Sequence, residues 1–72
     1  MSFDFKKLKE NWGSPIVART EIQRFTGGIV HGRTIANMDA LGTGPKERIR
    51  IGRKVAYPVD SIIEWLQSRV GE

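Results

Sequence analysis

Apolar side chains recur along this chain at spacings of three and four, punctuated by glycine and proline, and in one stretch they alternate. Phe5, Leu8 and Trp12 stand at i, i+3 and i+7, with Asp4 placed to cap and Gly13-Ser14-Pro15 placed to stop. Residues 1–15 therefore read as an N-terminal arm or a short helix, whose aromatic stripe predicts core cover and no chemistry. A second helical signal begins at Thr20, a good N-cap, with Glu21 in the first turn and Ile22 and Phe25 on one face, and ends at Thr26-Gly27-Gly28. A third sets Ile35, Met38 and Leu41 on one side and Arg33, Thr34 and Asn37 mostly on the other. It stops at Gly42-Thr43-Gly44-Pro45, because Pro45 cannot continue a helix and glycines favour turn geometry. Two short helices joined by a Gly-bearing turn predict a helix-turn-helix.

The alternating stretch comes next. Ile49 and Ile51 alternate with Arg48 and Arg50, and Val55 and Tyr57 continue the period of two, which predicts a hairpin with one buried face. A three-residue loop at 52–54 pairs Ile51 with Val55 and Ile49 with Tyr57, the register that gathers all four apolar residues on one face. Arg48 and Arg50 then fall on the open face, with Arg53 and Lys54 at the tip. The last segment starts at Pro58, carries Asp60 and Ser61 in its first turn, and presents Ile62, Ile63, Trp65, Leu66 and Val70 as a broad apolar face before a capping Gly71. This helix is expected to close the core, with Trp65 inside it.

Seventy-two residues make one domain, and at this size only about 60% of the unfolded surface is buried, so an enzyme with an enclosed pocket is not expected. No cysteine is present, which removes disulfides and thiolate zinc sites, and His31 is the only histidine, without the partners of a triad or metal site. Catalytic, cofactor and metal residues are accordingly expected to be absent. The first fifteen residues hold no apolar run of signal-peptide or membrane-spanning length, so a cytoplasmic protein without a membrane partner is expected. The loop at 42–46 lacks the Gly-Lys-Ser/Thr ending of a phosphate loop and reads as a helix stop.

Charge adds the functional clue. Lys46, Arg48, Arg50, Arg53 and Lys54 set five cations against Glu47 alone, so residues 46–54 carry the whole net charge of +4, while the other seven basic and seven acidic residues cancel. A stripe of this kind is either a solvated hairpin face or the footprint of a polyanion, whose counterions are released on contact.

Residues 16–70 resemble the MerR-related excisionase and AlpA-type helix-turn-helix family. The resemblance rests on Phe25-Thr26-Gly27, Thr34-Ile35 opening the second helix, Gly42 and Pro45 after it, Ile51-Gly52-Arg53 in the hairpin, and Ile62-Ile63-Glu64-Trp65-Leu66. It implies a mainly α fold with a small β-hairpin, a winged helix-turn-helix over residues 16–72, whose second helix enters the major groove while the hairpin wing follows the neighbouring backbone or minor groove. Matched position by position, Arg33, Thr34 and Asn37 would face bases, with Arg48, Arg50, Arg53 and Lys54 in the wing and His31 at the helix entrance. Arginine pairs bidentately with guanine and asparagine with adenine, which suits such a surface. The turn at 28–32 is longer than the family's usual one, and Asp39 leaves the second helix a sparse reader, which shifts weight to the wing.

The sequence thus predicts a non-enzymatic, sequence-specific duplex DNA-binding protein, excisionase-like or a small transcription regulator of phage or prophage type. Its expected partners are double-stranded DNA and either further copies on the DNA or a recombinase or transcription partner. A protein-interaction module on the same fold, or a phage DNA-packaging adaptor, is the competing reading, because fold alone does not decide function.

Overall fold

The computed structural model describes residues 4–69. The Asp4 carboxylate accepts the backbone N–H of Lys6 at 3.0 Å, starting helix α1 (Lys6–Trp12), and Gly13 closes it in the left-handed conformation, φ +77°. Trp12 meets Phe25 edge-on, ring centroids 5.2 Å apart, and its indole N–H donates to the carbonyl of Ile16 at 2.9 Å. With Leu8 also packed on the core, α1 is joined to the rest of the chain through apolar contact, this hydrogen bond and an ion pair of Lys9 with Asp60.

Among the described residues the order after α1 is β1 (Ile16–Ala18), a 3-10 turn at Arg19–Glu21, α2 (Ile22–Phe25), α3 (Gly32–Leu41), β2 (Ile49–Ile51), β3 (Lys54–Pro58) and α4 (Val59–Gln67). The three strands form one antiparallel sheet in the order β1-β3-β2. The fold is thus four helices with a small antiparallel sheet. Strand β1 is absent from the sequence expectation, since three residues are too few for a period of two to register; pairing Val17 with Tyr57 and Ala18 with Ala56 makes it a strand. Thr20 does not cap α2: it lies inside the 3-10 turn, and the helix starts at Ile22.

The core is built from Val17, Ile22, Phe25, Val30, Ile35, Tyr57, Val59, Ile62 and Trp65. Helix α4 closes it as expected: Trp65 is buried and its indole N–H donates to the carbonyl of Thr43 at 2.9 Å, binding the helix to the loop that leaves α3. Val70 and Gly71, expected to extend and cap this helix, lie outside the described residues.

Two apolar expectations are corrected. Leu41 is 77% exposed and not part of the core face. Successive steps of three residues rotate by about 300°, so Leu41 has drifted about 120° from Ile35 around the helix. The hairpin register also differs: Ile51 pairs with Lys54, Arg50 with Val55 and Ile49 with Ala56, across a two-residue turn of Gly52 and Arg53. Gly52 takes φ +61°, the glycine position of a tight hairpin turn whose twist matches that of the strands. Paired residues share a face, so Arg50 stands beside Val55 and Tyr57 on the side turned toward α3, and Ile49, Ile51, Ala56 and Ile16 occupy the outer side. The isoleucines are consequently exposed, Ile51 at 62%. Turn geometry prevails over apolar matching, and on the inner side Arg48, just before β2, comes within 3.8 Å of the Asp39 carboxylate.

Among the described residues, no helix is long and apolar enough to cross a membrane.

Candidate nucleic-acid interface

Helix α3 has two unlike sides. Ile35 is buried, and Met38 and Asp39 are turned inward, while Arg33, Thr34, Asn37, Ala40 and Leu41 are exposed on one arc of about 120°. The glycine-rich turn before it is ordered by Thr26, whose buried hydroxyl donates to the carbonyl of Ile22 at 2.9 Å and accepts the N–H of Val30 at 3.0 Å. This bond is what fixes a turn longer than two short helices require. His31 occupies the N-cap position of α3 with extended backbone, φ −92° and ψ 156°, and its side chain makes no capping bond. It stands exposed at the end of the helix where the macrodipole is positive. The helix ends at Gly42, φ +77°, whose N–H reaches the carbonyl of Asp39 while that of Thr43 reaches Met38.

Between α3 and the hairpin runs a cleft of about 260 Å³, lined by Ala36, Asp39 and Ala40 on the helix and by Arg48, Arg50 and Val55 across from it. Ala36 and Ala40 line the helix side of the cleft, and Ala40 belongs to both the cleft and the exposed arc, so the surface of Arg33 and Asn37 continues into that of Arg50. Arg53 and Lys54 are exposed at the hairpin tip. All eight residues singled out from sequence, His31, Arg33, Thr34, Asn37, Arg48, Arg50, Arg53 and Lys54, are solvent-exposed on α3, its entrance or the hairpin.

Their charges are largely unspent. Asp60 is paired with Lys9 at 2.9 Å, Glu21 with Arg24 at 3.2 Å and Asp39 with Arg19 at 2.8 Å, whereas Arg33, Arg50, Arg53 and Lys54 form no ion pair with any described residue. Arg48 differs from them, approaching Asp39 at 3.8 Å.

Beneath the cleft lies a polar junction that sequence reading missed. The Asp39 side chain is 5% exposed and receives the Tyr57 hydroxyl proton and a guanidinium N–H of Arg19, while Arg19 also donates Nε–H to the Tyr57 oxygen at 3.0 Å. Burial, and after it the bond to Asp39, push the Tyr57 hydroxyl up to about 12, against the opposing effect of Arg19. Burial by itself would lower the pKa of Arg19; the hydrogen bonds to Tyr57 and Asp39 outweigh it and the net shift is upward. Gly44 is part of the fit, since a Cβ there would collide with the Asp39 carboxylate. The signal was present in the pattern: Asp39 follows buried Ile35 by four residues and therefore shares its inward side, so it does not oppose a polyanion on the outer arc.

No group of three or more His, Asp or Glu side chains among the described residues comes together as a metal ion would require. The chain matches no protein-family model and no curated protein.

Proposed function

We propose that this chain is a winged helix-turn-helix protein that binds a specific site on duplex DNA, as an excisionase-like architectural factor or a small transcription regulator of phage type. The observation that carries the reading is the continuous surface of α3, cleft and hairpin, on which Arg33, Arg50, Arg53 and Lys54 have no ion pair among the described residues. Helix α3 is the reader: Arg33 and Asn37, four residues apart on its exposed arc, offer the two side chains best suited to guanine and adenine edges. The hairpin acts as the wing and neutralises phosphates. A single module of this kind buries roughly 600 to 1,000 Å² on DNA, so neighbouring copies, a recombinase or a transcription partner would complete a high-affinity complex.

One observation favours a protein partner instead: Ile16, Ile49 and Ile51 leave an apolar outer face on the sheet. Salt separates the two readings. Binding to a pool of random duplexes at low salt, followed through a salt titration, should weaken steeply as ionic strength rises. Absence of duplex binding at low salt would leave the protein-interaction reading in its place.

A further inference from the structure

We propose that Asp39 is a positioning residue for DNA recognition, which locks the reading helix to the wing so that the two address the duplex as one rigid unit; this rests on the DNA-binding reading above. Its carboxylate lies where four segments converge: α3, which carries it; the 3-10 turn, through Arg19 at 2.8 Å; β3, through the Tyr57 hydroxyl; and the start of the hairpin, through Arg48 at 3.8 Å. Arg19 and Tyr57 are themselves bonded at 3.0 Å and stacked, the guanidinium 5.8 Å from the ring centroid, so the junction is closed on itself. None of this is needed to hold α3 in place by burial, for Ile35 already anchors its inner side in the core. What burial does not set is the rotation and distance of the helix relative to the strands, because apolar packing is non-directional whereas hydrogen bonds to a carboxylate have fixed lengths and angles. Base readout needs that directionality, since functional groups held to within about 0.5 Å keep their partners and looser ones lose them.

Two substitutions loosen the junction, Tyr57→Phe without altering the outward surface and Asp39→Asn with release of Arg48 alone. Tyr57→Phe removes one hydrogen from Asp39 and one acceptor from Arg19, leaving the ring in the core. Asp39→Asn keeps the shape and an acceptor for Tyr57 but loses the charge that holds Arg19 and Arg48. Each full-length variant is compared with wild type on a duplex selected by the wild type from a random pool and on a scrambled duplex, below its own thermal midpoint. The readout is the ratio of the two affinities, since charge released from Arg48 by Asp39→Asn strengthens both alike. The ratio should fall about tenfold, the size of one lost base contact, with Tyr57→Phe retaining its affinity for the scrambled duplex. Folded variants with the wild-type ratio overturn the positioning role; if Asp39→Asn does not fold, Tyr57→Phe, which keeps its ring in the core, decides the question by the same ratio. A wild type that binds neither duplex removes the DNA-binding reading itself, a failure recognisable without any variant.

Discussion

At the scale of single residues, the molecule sorts its charges into those that are used internally and those that are offered outward. Arg19 and Asp39 are consumed in a buried junction, whereas Arg50 and Arg53 stand exposed without a counter-charge among the described residues. Arg50→Ala and Arg53→Ala should each weaken binding to every duplex and reduce the slope of log affinity against log salt by about one, as expected for one phosphate contact apiece. Arg33→Ala and Asn37→Ala should cost about 1 to 3 kcal/mol on the selected duplex and much less on a scrambled one, measured in the same titration. If both helix variants lose the two duplexes equally, α3 is not the reader. The junction also sets a pH dependence. The Tyr57 hydroxyl titrates near 10 unfolded and about 12 folded, so the protonated form is favoured by folding. Its contribution is full below pH 10 and is lost as pH rises from there through about 12, amounting to roughly 2 to 3 kcal/mol. Urea unfolding across pH 9 to 12 should reveal this loss in the wild type and a smaller one in Tyr57→Phe, in which only the other alkaline groups titrate.

Elements show where local rules compete. The hairpin obeys its turn: Gly52 at φ +61° begins a two-residue connection, and that choice sends Ile49 and Ile51 to the outer side. Gly52→Ala should destabilise the protein by about 1 to 2 kcal/mol, the cost of a left-handed backbone with a Cβ, read from the thermal midpoint. Ile51→Ala, by contrast, should change stability by no more than about 0.5 kcal/mol, as a surface position does. A loss of several kcal/mol there would restore the inward register. Helix α3 obeys its periodicity, with Asp39 and Ile35 four residues apart on the inner side, and α4 obeys its apolar face. Strand β1 has strand-favouring Ile16 and Val17 but is too short to show a pattern, and exists through its pairing with β3.

For the whole molecule, a small core is shared by several elements, and α4 with Trp65 closes it against β3 and α1. Its indole lies in the core and bonds to the loop after α3, so Trp65→Ala should cost about 3 to 5 kcal/mol, enough to leave so small a domain largely unfolded. Chemical unfolding of that variant with an unchanged midpoint would remove Trp65 from the core. The charge distribution is also a property of the whole: Glu21, Asp39 and Asp60 are paired with bases, and the excess of +4 gathered in residues 46–54 stays on the hairpin and the loop before it.

The sequence by itself determined where helix α3 runs and where α4 starts, that Trp65 lies inside, that a basic hairpin separates them, and that Arg33, Thr34 and Asn37 share an exposed side of α3. These follow from periodicity and turn residues, which act between neighbours a few positions apart and are therefore written locally. Only the tertiary structure decided the hairpin register, the third strand, and the meeting of Arg19, Asp39 and Tyr57, residues separated by 20, 18 and 38 positions. Arg50 is turned toward α3 by its pairing with Val55, Arg48 approaches a carboxylate of that distant helix, and Ile49 and Ile51 face outward because the turn and the pairing with β3 leave them no other side. Contacts across such separations depend on how elements pack in three dimensions, and no local pattern of apolar and polar residues carries that information.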